Sequence, residues 1–161
     1  MSNTPASDES DRPNRIPWPP ILDGVTIVGA AALQWVLPLT PLVPPGPWRW
    51  LGWLGCLAGL AIAVAGVLHF RRIRTPVDPT SRATSMATGG IYAWTRNPMY
   101  LGTILAFAGL GLAWPSTWLL VLMPLLALGL LKLAIEREEA FLERRFGDDY
   151  RAYKTRVRRW L

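Results

Sequence analysis

The 161-residue chain has one cysteine, Cys56, and one histidine, His69. That excludes a disulfide framework and a metal cage, since structural metal sites take about four nitrogen or sulfur ligands; no metal ligand set is assigned. Charge is scarce as well: 17% of residues are Asp, Glu, Lys or Arg against 51% hydrophobic, nine of them Trp. A chain so composed places much of its apolar material against a bilayer, and an all-α, polytopic integral membrane protein is expected. The net charge of +6 lies outside the apolar stretches. No interleaving of basic and aromatic residues of the kind that binds nucleic acid is present, so the acidic partners are membrane lipid headgroups.

Residues 1–15 are polar and lack the apolar core of a cleavable signal directly behind them. Residues 1–17 are therefore read as a disordered tail, residues 18–70 as two transmembrane helices and residues 71–161 as a third unit. A span needs roughly 20 apolar residues. Four segments approach this, at about 21–43, 50–70, 98–114 and 118–134, the last two being short. Pro19 and Pro20 suit a helix start, whereas Pro38 is expected to kink the far end of the first span.

Of the seventeen Lys and Arg, two fall in the tail, one (Arg49) in the first loop, five in residues 71–96 and nine from Lys132 onward. Sixteen of the seventeen thus share one side, which the positive-inside rule makes cytoplasmic, with both termini inside. Trp48, Trp50, Trp114 and Trp118 mark the opposite interface, and a bacterial inner membrane is the expected location. In the second span Gly52, Gly55, Gly59, Ala63 and Gly66 recur at steps of three or four, a stripe that lets another helix approach closely. Pro115-Ser116-Thr117 is a short break that folds the last two spans into a helical hairpin.

Unlike charges mark the open end of that hairpin. Arg96-Asn97-Pro98-Met99-Tyr100-Leu101-Gly102 opens one helix, with Asn97 able to cap it and Pro98 suited to its first position. An arginine beside a helix N-terminus favours an anion. The fourth span runs on through Lys132, Glu136, Glu138 and Glu139. Glu136 has Lys132 one turn away, but Glu138 and Glu139 have no cation three or four residues off in either direction and need partners from elsewhere. Neighbouring helical residues point about 100° apart, so one carboxylate can face a ligand while the other holds Arg96. The loop at 71–95 reads as a shaped cover, with Gly89-Gly90 open to close approach and Tyr92 and Trp94 available as an aromatic wall or as interfacial belt residues. Leu142, Phe146, Tyr150, Tyr153, Val157 and Trp160 form the apolar face of a basic amphipathic helix, broken near Gly147 and lying on the membrane.

Across residues 75–160 these motifs resemble the membrane methyltransferases that include isoprenylcysteine carboxyl methyltransferases and phospholipid N-methyltransferases. The resemblance rests on Gly90-Ile91-Tyr92, the Arg96 to Gly102 run, the Glu138-Glu139 pair, and Phe146-Gly147-Asp148-Asp149-Tyr150-Arg151-Ala152-Tyr153. Asn97 stands where the family has His, and Arg158 where the tail often has Pro. The resemblance implies an S-adenosyl-L-methionine pocket lined by Gly90, Tyr92, Arg96, Asn97, Pro98, Tyr100, Glu138 and Glu139, with Arg96 and Glu139 as the catalytic pair. It implies a lipophilic methyl acceptor, foremost the carboxylate of an isoprenylcysteine-like compound, with phosphatidylethanolamine as the alternative. A non-catalytic lipid-binding scaffold and a nicotinamide-dependent membrane reductase are the competing classes.

Overall fold

The computed structural model describes residues 13–44, 46–78, 80, 81, 84–114 and 116–161. Most of the expected tail, residues 1–12, lies outside them, while Asn14 is buried. The described residues form five helices and no strand: α1 (Trp18–Val36), α2 (Trp48–Arg72), α3 (Pro98–Ala113), α4 (Thr117–Leu130) and α5 (Glu136–Arg156). A 3-10 turn at Gly90–Ala93 precedes α3, and a π-helical turn at Leu131–Ile135 joins α4 to α5. Three helical stretches are long and apolar enough to cross a membrane, and α3 is a shorter apolar helix beside them. The protein is a polytopic helical membrane protein.

The first span differs from its expected limits. Pro38 does not kink a long helix, because α1 has already stopped at Val36. Proline disfavours helical backbone at the residue before it, and Leu37 leaves the helical region accordingly. Trp18 to Pro20 are recruited at the other end, since proline costs no hydrogen bond in a first turn.

Packing is tightest between α2 and α3. A Cβ at Gly52 would overlap the backbone of Gly109 and Ala113, and one at Gly59 the backbone of Gly102 and Ala106. The relation is reciprocal, since Gly109 meets Gly52 and Cys56, and Gly102 meets Gly59 and Ala63. Two glycines seven residues apart on one helix thus face two glycines seven apart on its antiparallel neighbour. The small-residue stripe is used within the chain, and backbone contact there replaces the side-chain interlock of a water-soluble bundle.

The hairpin of α3 and α4 closes over Gly111, against which Leu120 packs. Ser116 accepts from the Leu119 amide at the start of α4. Far-end polar groups knit the loops together: Arg49 Nε donates to the Ala113 carbonyl at 3.1 Å, Thr117 Oγ1 to the Thr40 carbonyl at 2.7 Å and Trp118 Nε1 to the Leu37 carbonyl at 2.8 Å. A core of Tyr100, Leu126, Leu130, Ala134 and Ile135 sits nearer the opposite end. Only 11% of the α1 span and 17% of the α2 span are buried inside the protein, so the outward Val25, Val28, Leu54, Leu57 and Leu60 face lipid.

Replacing Gly59 or Gly109 with leucine is expected to lower the thermal midpoint in detergent sharply. Overpacking a well-filled contact costs roughly 1–3 kcal/mol, and backbone offers less room to relax than a side chain does. Gly24→Ala, at a position with nothing within 4 Å of the added carbon, should leave the midpoint unchanged or raise it.

Candidate active site

Distant segments converge at the end of the bundle where α1 and α3 begin and α2 stops. They enclose a cavity of about 260 Å³ lined by Pro19 and Pro20 of α1, Phe70 of α2, Tyr92 and Arg96 before α3, Tyr100 within it, and Glu138, Glu139 and Tyr150 of α5. The loop after α2 covers it with Pro76, Val77, Ser85 and Met86. That cover is tied by Thr75, whose hydroxyl lies 2.5 Å from the Ser85 hydroxyl and accepts from the Ser85 amide at 3.1 Å.

Glu138 and Glu139 find partners outside their own helix and on different sides of it. The Tyr100 hydroxyl donates to Glu138 at 2.5 Å. Glu139 faces two arginines. Arg159 binds it through two hydrogen bonds, Nε to Oε1 at 3.1 Å and Nη2 to Oε2 at 2.6 Å, while Arg96 Nη1 stands 3.5 Å from Oε1. A two-point guanidinium–carboxylate contact is the stronger kind. Glu139 is consequently fixed by Arg159, and Arg96 is held in place by charge with two of its three nitrogens left open. Arg96 Nε and Nη1 are buried and have no hydrogen-bond partner, although the Arg96 side chain is only 12% exposed.

The π-helical turn gives α5 its aim. A wider turn inserts about one extra residue, and one residue rotates everything beyond it by about 100° around the helix axis. Leu130, Ala134 and Ile135 are fully buried through this turn, so its rotation is clamped by the core.

The chain after α5 returns to the start of α3. The Arg159 carbonyl accepts from Thr95 Oγ1 at 3.0 Å and from Asn97 Nδ2 at 3.2 Å, and the Arg96 amide donates to the Arg158 carbonyl at 3.0 Å. Asn97 does not cap α3 as expected; its side chain makes no capping bond, and the Asn97 amide donates to Thr95 Oγ1 instead. Its side-chain amide is committed to the returning chain. Arg158 contributes a carbonyl where a proline would also serve, so the departure at that position costs the contact nothing.

Tyr92 is held by ring contacts with His69 and Phe70, with centroids 5.5 and 5.3 Å away, and its carbonyl accepts from the Tyr153 hydroxyl at 2.6 Å. Its own hydroxyl is buried without a partner. Burial first, then the nearby Glu138 carboxylate, pushes this phenol well above its usual range, so it stays a neutral donor. Gly90 takes a positive φ of 58°, and an added Cβ would collide with the His69 ring. It turns the chain beneath Tyr92 and is not among the residues lining the cavity. Trp94, 79% exposed, is not among them either and fits the interfacial reading. Pro98 lines the cavity beside Asn97.

Thr95 and Arg159 were not singled out from the sequence. Arg159 lies twenty residues from Glu139 in a run of basic residues that reads as membrane surface, and no local spacing separates it from its neighbours.

A relative from Haemophilus influenzae, an "Uncharacterized protein", is 41% identical over 71 residues, covering 44% of this chain and 87% of that protein. No solved structure matches the chain. The family model for phospholipid methyltransferases matches residues 48–149, which takes in α2, α3, α4, the cover loop and the Glu138-Glu139 pair. The chain belongs to the phospholipid methyltransferase family.

Proposed function

We propose that this membrane methyltransferase uses S-adenosyl-L-methionine and transfers its methyl group to a lipophilic acceptor entering from the bilayer. The observation that carries the reading is Arg96, buried on the cavity wall with two nitrogens lacking hydrogen-bond partners. Leaving buried donors unpaired costs about 1–3 kcal/mol each, a cost that an anionic ligand removes. The amino-acid end of S-adenosyl-L-methionine fits these residues: Arg96 would take its carboxylate and Glu139 or Glu138 its ammonium, while Tyr92 offers a hydroxyl and a ring face. When bound, the cofactor supplies an electrophilic methyl on a positively charged sulfur. The residues of this chain contribute position and exclusion of water, and Arg159 keeps Glu139 from neutralising Arg96 completely.

Charge also bears on the acceptor. Among the described residues of the cavity wall the carboxylates Glu138 and Glu139 stand beside one cation, Arg96. With Arg96 given to the cofactor, no second cation among the described residues of that wall remains to orient an acceptor carboxylate. This favours an amine-headed lipid, the alternative among the acceptors expected from the sequence, over the carboxylate of an isoprenylcysteine-like compound. The amine would be the group that receives the methyl the cofactor supplies when bound. Before transfer an ammonium must shed a proton, for which Glu138, on the cavity wall, would be the acceptor. The excess of basic residues beside this end supports a cytoplasmic opening in a bacterial inner membrane.

Calorimetry on the detergent-purified full chain should show S-adenosyl-L-methionine binding that Arg96→Ala abolishes. Arg159→Gln should weaken it about tenfold or more, the loss expected when a charge-assisted hydrogen bond worth about 1.5–3 kcal/mol is removed. Absence of binding to well-folded wild type would instead support the scaffold reading. With methyl-labelled cofactor, label should enter an amine-headed phospholipid faster than an isoprenylated cysteine derivative; the reverse order would restore the carboxylate acceptor.

A further inference from the structure

We infer that α1 completes the acceptor site, and that Asp23 is its specificity-determining residue, selecting a positively charged head group on a lipid tail. The inference rests on the methyltransferase reading for its purpose but on separate residues for its evidence. Residues 13–23 precede the segment matched by the family model, which begins at residue 48. Yet Pro13, Pro19 and Pro20 form part of the cavity wall.

Asp23 lies three and four residues beyond those two prolines, hence one turn farther along the same face of α1. Its neighbour Leu22 packs on the core that contains Tyr100, so Asp23 sits at the Tyr100 end of the bundle, beyond the residues that line the cavity itself. Tyr100 in turn lines the cavity and donates to Glu138.

Asp23 Oδ1 is buried with no hydrogen-bond partner. A carboxylate in a membrane-spanning helix is costly and rare, and it is retained where it serves a pathway or a ligand. Asn14, next to Pro13, is 3% exposed and has both side-chain polar atoms unpartnered. Residues 13–23 thus carry two polar side chains with buried, unpartnered atoms, one next to Pro13 and the other one turn beyond Pro19 and Pro20 of the cavity wall. A buried carboxylate with an unpaired oxygen, one turn beyond the cavity wall, recognises a donor-rich cation and repels an anion.

Native mass spectrometry of the full chain in detergent, titrated with equal amounts of phosphatidylethanolamine and phosphatidylglycerol, tests this without requiring turnover. Wild type should retain the amine-headed lipid preferentially. Asp23→Asn should lose that preference by about tenfold, and Asp23→Glu should keep most of it. Absence of preference in wild type, an unchanged preference in Asp23→Asn, or its loss in a folded Asp23→Glu would overturn the inference. Calorimetry with S-adenosyl-L-methionine on the same samples separates the two readings. Cofactor affinity should be the same in wild type and Asp23→Asn, and a tenfold fall would make Asp23 part of the cofactor site instead. If wild type binds no cofactor while the lipid preference still follows Asp23, the methyltransferase reading falls and the head-group site stands.

Discussion

One carboxylate shared between two arginines organises this end of the molecule. Glu139 draws Arg159 from the chain end and Arg96 from the approach to α3 toward a single point on α5. Neither arginine belongs to the helix that carries the glutamate. The pairing is unequal, with two short hydrogen bonds on one side and a single 3.5 Å approach on the other. A symmetric arrangement would have spent both cations on one anion. The asymmetry preserves a buried guanidinium with donors still open, and the returning chain is fastened at Thr95 and Asn97 so that it persists.

Around this point the chain uses two different kinds of cohesion. Between α2 and α3 it relies on close backbone approach, which the bilayer encourages because lipid tails are as apolar as leucine and give no driving force for burying larger side chains. At the cavity end it relies on hydrogen bonds that reach across sixty residues, such as Tyr153 to the Tyr92 carbonyl and Thr95 to the Arg159 carbonyl. The first fixes the frame, and the second places chemistry on it. Family membership accounts for the frame and the motif residues, while α1 and the last turns of α5, with Tyr150 and Tyr153, lie outside the matched segment and still build walls of the same cavity.

Much of the architecture is legible in the residues themselves. Hydropathy located the apolar segments, the glycine stripe announced close packing, and the absence of local partners for Glu138 and Glu139 correctly predicted that each pairs elsewhere. What was not legible has identifiable causes. The end of α1 depended on how Pro38 acts on its predecessor, which permits either a kink or a stop. The π-helical turn has no residue signature in Leu131–Ile135, because its register is set by which side chains the core accepts. Arg159 was indistinguishable from the surrounding surface arginines until the chain folded back. Asn97 read as a cap because asparagine before Pro98 satisfies every local rule, and a nonlocal carbonyl outcompeted that option.

The two glycine rungs also decide where the molecule can give way. Helices whose backbones already touch have no rotamers to rearrange between them, so α2 and α3 shift together or not at all. The seam between α1 and α4 is built differently, with the Leu22 side chain filling the space over Gly129. Side chains can swing where backbones cannot. The seam along α1 is therefore the one whose packing side chains can rearrange, and under the proposed function a bulky hydrocarbon tail would meet least mechanical resistance by parting it, on the side where the bilayer supplies it.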